Sequence, residues 1–168
     1  MTSRMSGHEG SVASVRFGLV VTSDSVKKGE KVDEITPLVE KAVESHGHKL
    51  VYRAVVGNDM GEIQLAVLEA IVRRGAQVVI VTGGTGPRPL DVSVDAVERL
   101  AQRVLPGIGE EFRRRSLEQT SHALLSRAGA YIVHGRLVVV CPGKPAAVKL
   151  MLDILFPIVG HLVHELLR

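Results

Sequence analysis

Residues 79–97 read VIVTGGTGPRPLDVSVDAV. The opening residues continue an apolar, β-branched run that starts at Gln77, the pattern of a strand covered on both faces. Three glycines and a threonine occupy 83–86, and a carboxylate, Asp91, stands just ahead of a segment with helical spacing that begins at Ser93. The spacing predicts a strand over 77–82, a tight loop, and a helix over 93–103 with Ser93 as its N-cap. A strand that passes through a loop into a helix is the unit from which parallel sheets between helices are built.

The same unit recurs upstream. VRFGLVVT (15–22) is a short apolar run followed by the polar loop SDSVKKGEK, and residues 33–45 place Ile35, Leu38, Val39, Ala42 and Val43 on one helical face before HGH at 46–48. KLVYRAVV (49–56) predicts the next strand, GND a turn, and 61–74 a helix carrying Ile63, Ala66, Val67, Ala70 and Ile71 and closed by Gly75. Downstream, a helix over 108–117 follows a Pro-Gly break, and AYIVHGRLVVVC (130–141) predicts a hairpin, hence one antiparallel strand. PGKP (142–145) then leads into helices over 146–155 and 157–167, divided at Pro157. The expectation is an α/β fold: a single domain over 15–168 behind a loose, Ser/Gly-rich tail over 1–14.

Composition narrows the function. The chain has 168 residues, of which 45% are hydrophobic, enough for one core; aromatics are only 3%, so Val, Leu, Ile and Ala must fill it. A net charge of +3 is dispersed apart from FRRRS (112–116), which reads as a solvated helix face, and no aromatic platform accompanies it; nucleic acid is excluded as the expected partner. The lone Cys141 ends an apolar strand and reads as packing, which leaves no internal disulfide and no cysteine-based metal site. No run free of breaks reaches the roughly 18 apolar residues of a membrane span, and the first residues lack the apolar stretch of a signal peptide, so a cytoplasmic setting is expected.

Parallel sheets bind ligands at the carboxyl ends of their strands. Four loops should meet there: Ser23 and Asp24 after the first strand, Asp59 after the second, Gly83, Gly84, Thr85 and Gly86 after the third, and Pro142, Gly143, Lys144 and Pro145 after the last. Small residues at 83, 84 and 86 would let backbone N–H groups approach a phosphate, although a plain strand-to-helix turn uses glycine equally well. The loop fits neither G-x-G-x-x-G nor the Walker A pattern. A carboxylate beside a phosphate cradle needs a cation between them, and Mg²⁺ held by Asp91, with Asp59 as a second carboxylate, would supply it; capping is the competing role for both. Lys144 could meet a phosphate as a point charge. His122 and His134 read as surface or turn residues, and His161 and His164 have metal-ligand spacing but sit on the last helix, away from these loops.

Several ordered motifs, GLVVTSDS at the first strand, TGGTG (82–86), DVSVDA (91–96), LPGIGEEFRRRS (105–116), LLSRA (124–128) and CPGKPAAV (141–148), resemble those of the MoaB/MogA type of molybdenum cofactor biosynthesis proteins, over about residues 15–167. The resemblance implies a three-layer α/β/α sandwich with a mostly parallel sheet and one antiparallel strand, assembled as a homotrimer or homohexamer. It implies Mg²⁺- and ATP-dependent adenylylation of molybdopterin, with ATP as substrate, pyrophosphate as product and delivery to a downstream molybdenum-insertion protein. On this likeness Gly83–Gly86 match the nucleotide loop, Asp91 and Asp59 the functional aspartates, Ser23 and Asp24 the first-strand loop, and Pro142, Gly143 and Pro145 the proline-glycine loop; Ser126 and Arg127 match a Ser-Arg pair. The chain departs from the pattern at Leu90, where Arg is common and Arg88 stands two places earlier, at Asn58, where Pro is common, and at Lys144, where Ser or Asn is common. Two other readings are a non-catalytic molybdopterin carrier or scaffold and a nucleotide pyrophosphatase like the CinA proteins. The apolar last helix, with Phe156, Ile158, Val159, Leu162, Val163, Leu166 and Leu167, reads as a subunit interface.

Overall fold

The computed structural model describes residues 10–168. Its β-branched runs form the strands β1 (Arg16–Thr22), β2 (Lys49–Val56), β3 (Val78–Thr82), β4 (Arg103–Val104), β5 (Gly129–Val133) and β6 (Arg136–Cys141). They make one sheet in the order β2-β1-β3-β6-β5-β4. The pairs β1–β2, β1–β3 and β3–β6 are parallel, and β5 runs antiparallel to both β6 and β4, so one strand is reversed, as expected. The hairpin turns at His134 (φ 47°) and Gly135 (φ 71°), the two left-handed residues that a two-residue hairpin loop requires.

Helices cover both faces: α1 (Asp24–Lys27), α2 (Ile35–Ser45), α3 (Met60–Leu68), α4 (Ser93–Leu100), α5 (Pro106–Leu117) and α6 (Pro145–Leu166). The period of two in each central strand sorts its side chains between two cores. Phe17, Leu19, Val21, Val78, Ile80, Leu137 and Val139 enter the core beneath α2, α5 and α6. Val20, Val79, Val81, Val138 and Val140 enter the one beneath α3 and α4. The architecture is therefore a three-layer α/β/α sandwich.

Several boundaries differ from the sequence reading. The loop after β1 contains a single helical turn, α1, because the Ser23 hydroxyl accepts from the N–H of Val26 and caps it. Helix α3 widens into a π turn over Glu69–Arg73 before Gly75 (φ 70°) reverses the chain. Helix α4 stops at Leu100, and Arg103–Val104 pair with Ile132 and Tyr131 as an edge strand rather than continuing the helix. Ser93 is not an N-cap: it is the first helical residue, and its hydroxyl is buried.

The two terminal helices are one. α6 runs without interruption through Pro157, whose missing N–H leaves the carbonyl of Asp153 free at a position where both residues are exposed and water can satisfy it. By length and composition this helix could cross a membrane, yet Val148, Met151, Leu152, Ile154, Leu155, Val159 and Val163 are buried in the core. Of the tail expected over 1–14, residues 1–9 lie outside the described residues. Residues 10–12 lie against α6, where Val12 N–H donates to Gly160 C=O at 3.0 Å.

Candidate active site

A cleft of about 960 Å³ opens at the carboxyl ends of β1, β3 and β6. Its walls include Ser23 and Asp24, the whole of Gly83–Gly86, Asp91, Pro142–Pro145 and, from the loop after β2, Asn58, so all four expected loops reach it, the second through Asn58 rather than Asp59. Strand order is what gathers them, since β3 lies between β1 and β6 and each strand ends in one of these loops.

The glycine loop is held by its neighbours. Gly83 N–H donates to Cys141 C=O at 2.8 Å, tying the loop to β6. Gly83 has φ +91°, and a Cβ there would lie 2.4 Å from the carbonyl oxygen of Thr22, so no other residue fits without moving the backbone. A Cβ on Gly86 would lie 2.8 Å from the Asp91 carboxylate; that close approach lets the loop fold back over Asp91. Among the described residues, no protein group accepts from the N–H groups of Gly84, Thr85 or Gly86. Nearby, the hydroxyls of Thr22, Thr82 and Ser93 are buried without a hydrogen-bond partner. A protein rarely leaves such groups unmet unless something else satisfies them.

Asp91 is 6% exposed and receives three hydrogen bonds from one residue. Arg88 donates from its backbone N–H and its Nε to Oδ2, at 3.0 and 3.1 Å, and from Nη2 to Oδ1 at 3.0 Å. This guanidinium holds the Asp91 carboxyl below the usual carboxylate range. Asp24 is met by Asn58, whose backbone N–H and side-chain amide donate at 3.0 and 3.1 Å and depress its pKa. The departure at position 58 thus has a structural counterpart, because a proline there could make neither bond.

Asp59 does not line the cleft. It is exposed, and its carboxylate turns back to cap α3 by accepting from Glu62 N–H at 2.9 Å. Lys144 is exposed at the N-cap of α6, with Pro145 in the first turn, so a lysine and the positive end of a long helix face the cleft together. Leu90 is exposed on the wall.

The arrangement draws in further residues, among them Arg127 of the Ser-Arg pair, whose role the sequence left open. Arg127 is the chief organiser of the loop. Its guanidinium donates to the carbonyls of Gly86 (3.1 Å) and Asp91 (2.6 Å) and to both oxygens of Asp95 (2.9 and 3.0 Å), and its N–H donates to Thr85 C=O at 2.8 Å. Lys31, Asp33 and Glu34, in the segment ahead of α2, also line the cleft, as does His122. Burial pushes the Asp33 carboxyl up, but hydrogen bonds from Thr36, Arg53 and the start of α2 together outweigh it and hold the pKa at about 2. The length of the polar loop after β1 was the available signal for these residues.

An apolar hollow of about 300 Å³, lined by Phe112, Leu125, Ala146, Ala147 and Leu150, adjoins the cleft and shares Thr85, Gly86, Pro142 and Lys144 with it. The remaining candidates lie elsewhere. Cys141 is fully buried, its thiol pushed up to about 12 by burial. Arg114 and Arg115 pair with Glu111, and Arg113 donates to Ala128 C=O, which accounts for the FRRRS run. Among the described residues His161 and His164 have no third ligand, and no cluster of three or more His, Cys, Asp or Glu suited to a metal occurs.

Residues 18–161 match the family model described as "Probable molybdopterin binding domain". The chain belongs to this family. A relative named molybdopterin adenylyltransferase, from Pyrococcus furiosus, is 37% identical over 88% of this chain and 89% of its own length. Molybdenum cofactor biosynthesis protein B of Bacillus cereus is 35% identical over 92% of both chains. Among solved structures, a molybdopterin biosynthesis protein from Mycobacterium abscessus superposes with a TM-score of 0.84 at 35% identity, covering 90% of this chain and 96% of that one. The CinA protein of Thermoplasma acidophilum, at 17% identity and a TM-score of 0.64, shares the fold alone.

Proposed function

We propose that the cleft is the active site of a molybdopterin adenylyltransferase acting in molybdenum cofactor biosynthesis. The observation that carries this reading is the unmet donor set of the glycine loop, the N–H groups of Gly84, Thr85 and Gly86, at a cleft large enough for two phosphorylated ligands. The relatives' names supply the substrates. In the reaction, a terminal phosphate oxygen of molybdopterin attacks the α-phosphorus of ATP, a new P–O bond forms, the bond to the β-phosphate breaks, and pyrophosphate leaves. Such transfers depend on positioning and charge neutralisation.

The chain's own residues divide that work. The loop N–H groups and the hydroxyls of Thr22 and Thr82 receive phosphate oxygens; Lys144 and the start of α6 add positive charge. The apolar hollow beside the loop seats one of the two flat rings. Asp91 fits Mg²⁺ held in the manner of nucleotide enzymes, by one carboxylate together with substrate phosphates, rather than in a site built wholly of protein ligands. Mg²⁺ bound there would neutralise charge on the transferring phosphate. Asp59 contributes as a second carboxylate only if it leaves its capping bond to Glu62. The protein would work in the cytoplasm as a homotrimer or homohexamer and pass its product to a molybdenum-insertion protein.

The test is pyrophosphate release from ATP and molybdopterin with Mg²⁺, comparing the native protein with Asp91→Asn. Turnover should fall roughly 10²-fold or more in the variant, the loss typical of removing a charge-stabilising group. No pyrophosphate from the native protein would defeat the reading. The contact between Arg88 and Asp91 favours one other outcome, because it occupies the carboxylate that Mg²⁺ would need; tight pterin binding without turnover would mark a carrier instead.

A further inference from the structure

We propose that Arg88 is an exchangeable latch: with the cleft empty it neutralises Asp91, and when a nucleotide enters it moves to the polyphosphate and opens the Asp91 carboxylate to a divalent cation. The proposal rests on the nucleotide reading of the cleft and adds to it a role for one residue.

Three observations point this way. The first is an inventory of charge. The cleft is lined by the carboxylates of Asp24, Asp33, Glu34 and Asp91 and, among the described residues, by the cationic side chains of Lys31, Arg88 and Lys144. Asp33 is already met by Arg53 and Asp24 by Asn58. Among the described residues Arg88 is therefore the only guanidinium on the wall, and a planar fork of donors is the group best matched to phosphate oxygens. Arg127, the other arginine near the loop, is committed to Asp95 and to two loop carbonyls.

The second is the asymmetry of the pair. The Arg88 side chain is 72% exposed and that of Asp91 only 6%. The exposed arginine can swing away without unpacking anything, whereas the buried carboxylate it leaves needs another cation in its place, which ties the release of Arg88 to the arrival of a metal ion. Asp91 cannot move, because Gly86 lies against it and Arg127 grips its backbone carbonyl.

The third is the division of the three bonds. One comes from the backbone N–H of Arg88, at 3.0 Å, and survives when the side chain leaves. The carboxylate would stay aimed while its Oδ1 becomes free. Released in this way, Arg88 brings a positive charge to the mouth of the cleft where Leu90 carries none.

The latch predicts opposite effects on two ligands, which separates it from a structural role. Arg88→Met and Arg88→Lys would be compared with the native protein in two equilibrium titrations: ATP in the presence of EDTA by calorimetry, and Mn²⁺ alone by electron paramagnetic resonance. Arg88→Met should weaken metal-free ATP at least tenfold and tighten Mn²⁺ at the nucleotide-free protein several-fold, because the competing cation is gone. Arg88→Lys should retain more ATP affinity than Arg88→Met. Weakening of both ligands, or no change in either, overturns the latch. If native and variant proteins bind ATP equally, the nucleotide reading survives and the latch does not; a native protein that binds no ATP removes both.

Discussion

Replacing Arg127 with methionine keeps most of the side-chain volume and removes every donor of the guanidinium. Two charge-assisted bonds to the carbonyls of Gly86 and Asp91 would be lost, each contributing about 1–2 kcal/mol after exchange with water. The forked pair with Asp95 adds little, about 0.5 kcal/mol, because both side chains are more than a third exposed. The total is about 2.5–4.5 kcal/mol. Urea unfolding at a fixed protein concentration measures it: with a slope of about 2 kcal/mol/M the midpoint should fall by about 1–2 M at unchanged slope. Arg127→Lys should lie between, since one ammonium cannot span the sites that a fork spans. ATP affinity should fall along with stability, because the same bonds hold the loop. A midpoint within about 0.3 M of the native protein would refute the argument, as would a large loss of stability with ATP affinity intact.

Other outcomes follow from the same geometry. Gly83→Ala places a Cβ 2.4 Å from the Thr22 carbonyl at a positive φ; it should destabilise by about 2 kcal/mol or more, checked by thermal melting, and should weaken ATP binding. His48 accepts a hydrogen bond from Val15 N–H through Nδ1 at 3.0 Å and packs beside Phe156, and burial, with His46 as a lesser cause, lowers its pKa. Because the folded pKa lies below the unfolded value of about 6.5, the unfolded chain takes up the proton first as pH falls. Stability is thus full above about pH 6.5 and is lost below it, down to the folded pKa; melting of His48→Gln across pH 5–8 should lack that slope. Cys141, fully buried with its thiol raised to about 12, should resist thiol reagents in the folded protein and react only on unfolding.

Periodicity made most of the fold legible. The β-branched runs at 16–22, 49–56 and 78–82 and the helical faces between them could adopt little else, and His134-Gly135 announced the reversed strand. The last helix was misjudged at Pro157 because propensity sees the lost N–H and not the seven core side chains that hold the helix on either side. Likewise Ser93 looks like a cap in sequence, but its hydroxyl is buried against Gly84. At the site, residues that follow parallel strands were found by the rule that ligands gather at strand ends. Arg127 escaped it. It precedes its strand, and only because β5 is reversed does a residue ahead of a strand arrive at the same edge. Asp59 illustrates the converse: it follows a strand, yet its own helix claims its carboxylate.

That reversal also gives the molecule a working handle. β6 begins at Arg136, at the end of the sheet opposite the cleft, so the His134-Gly135 turn lies at the edge away from Gly83–Gly86. His134 already carries an exposed side chain at this turn, and neither residue lines the cleft. A fluorophore or affinity tag attached there would report on the protein, or tether it to a surface, while leaving the chemistry at the other rim undisturbed.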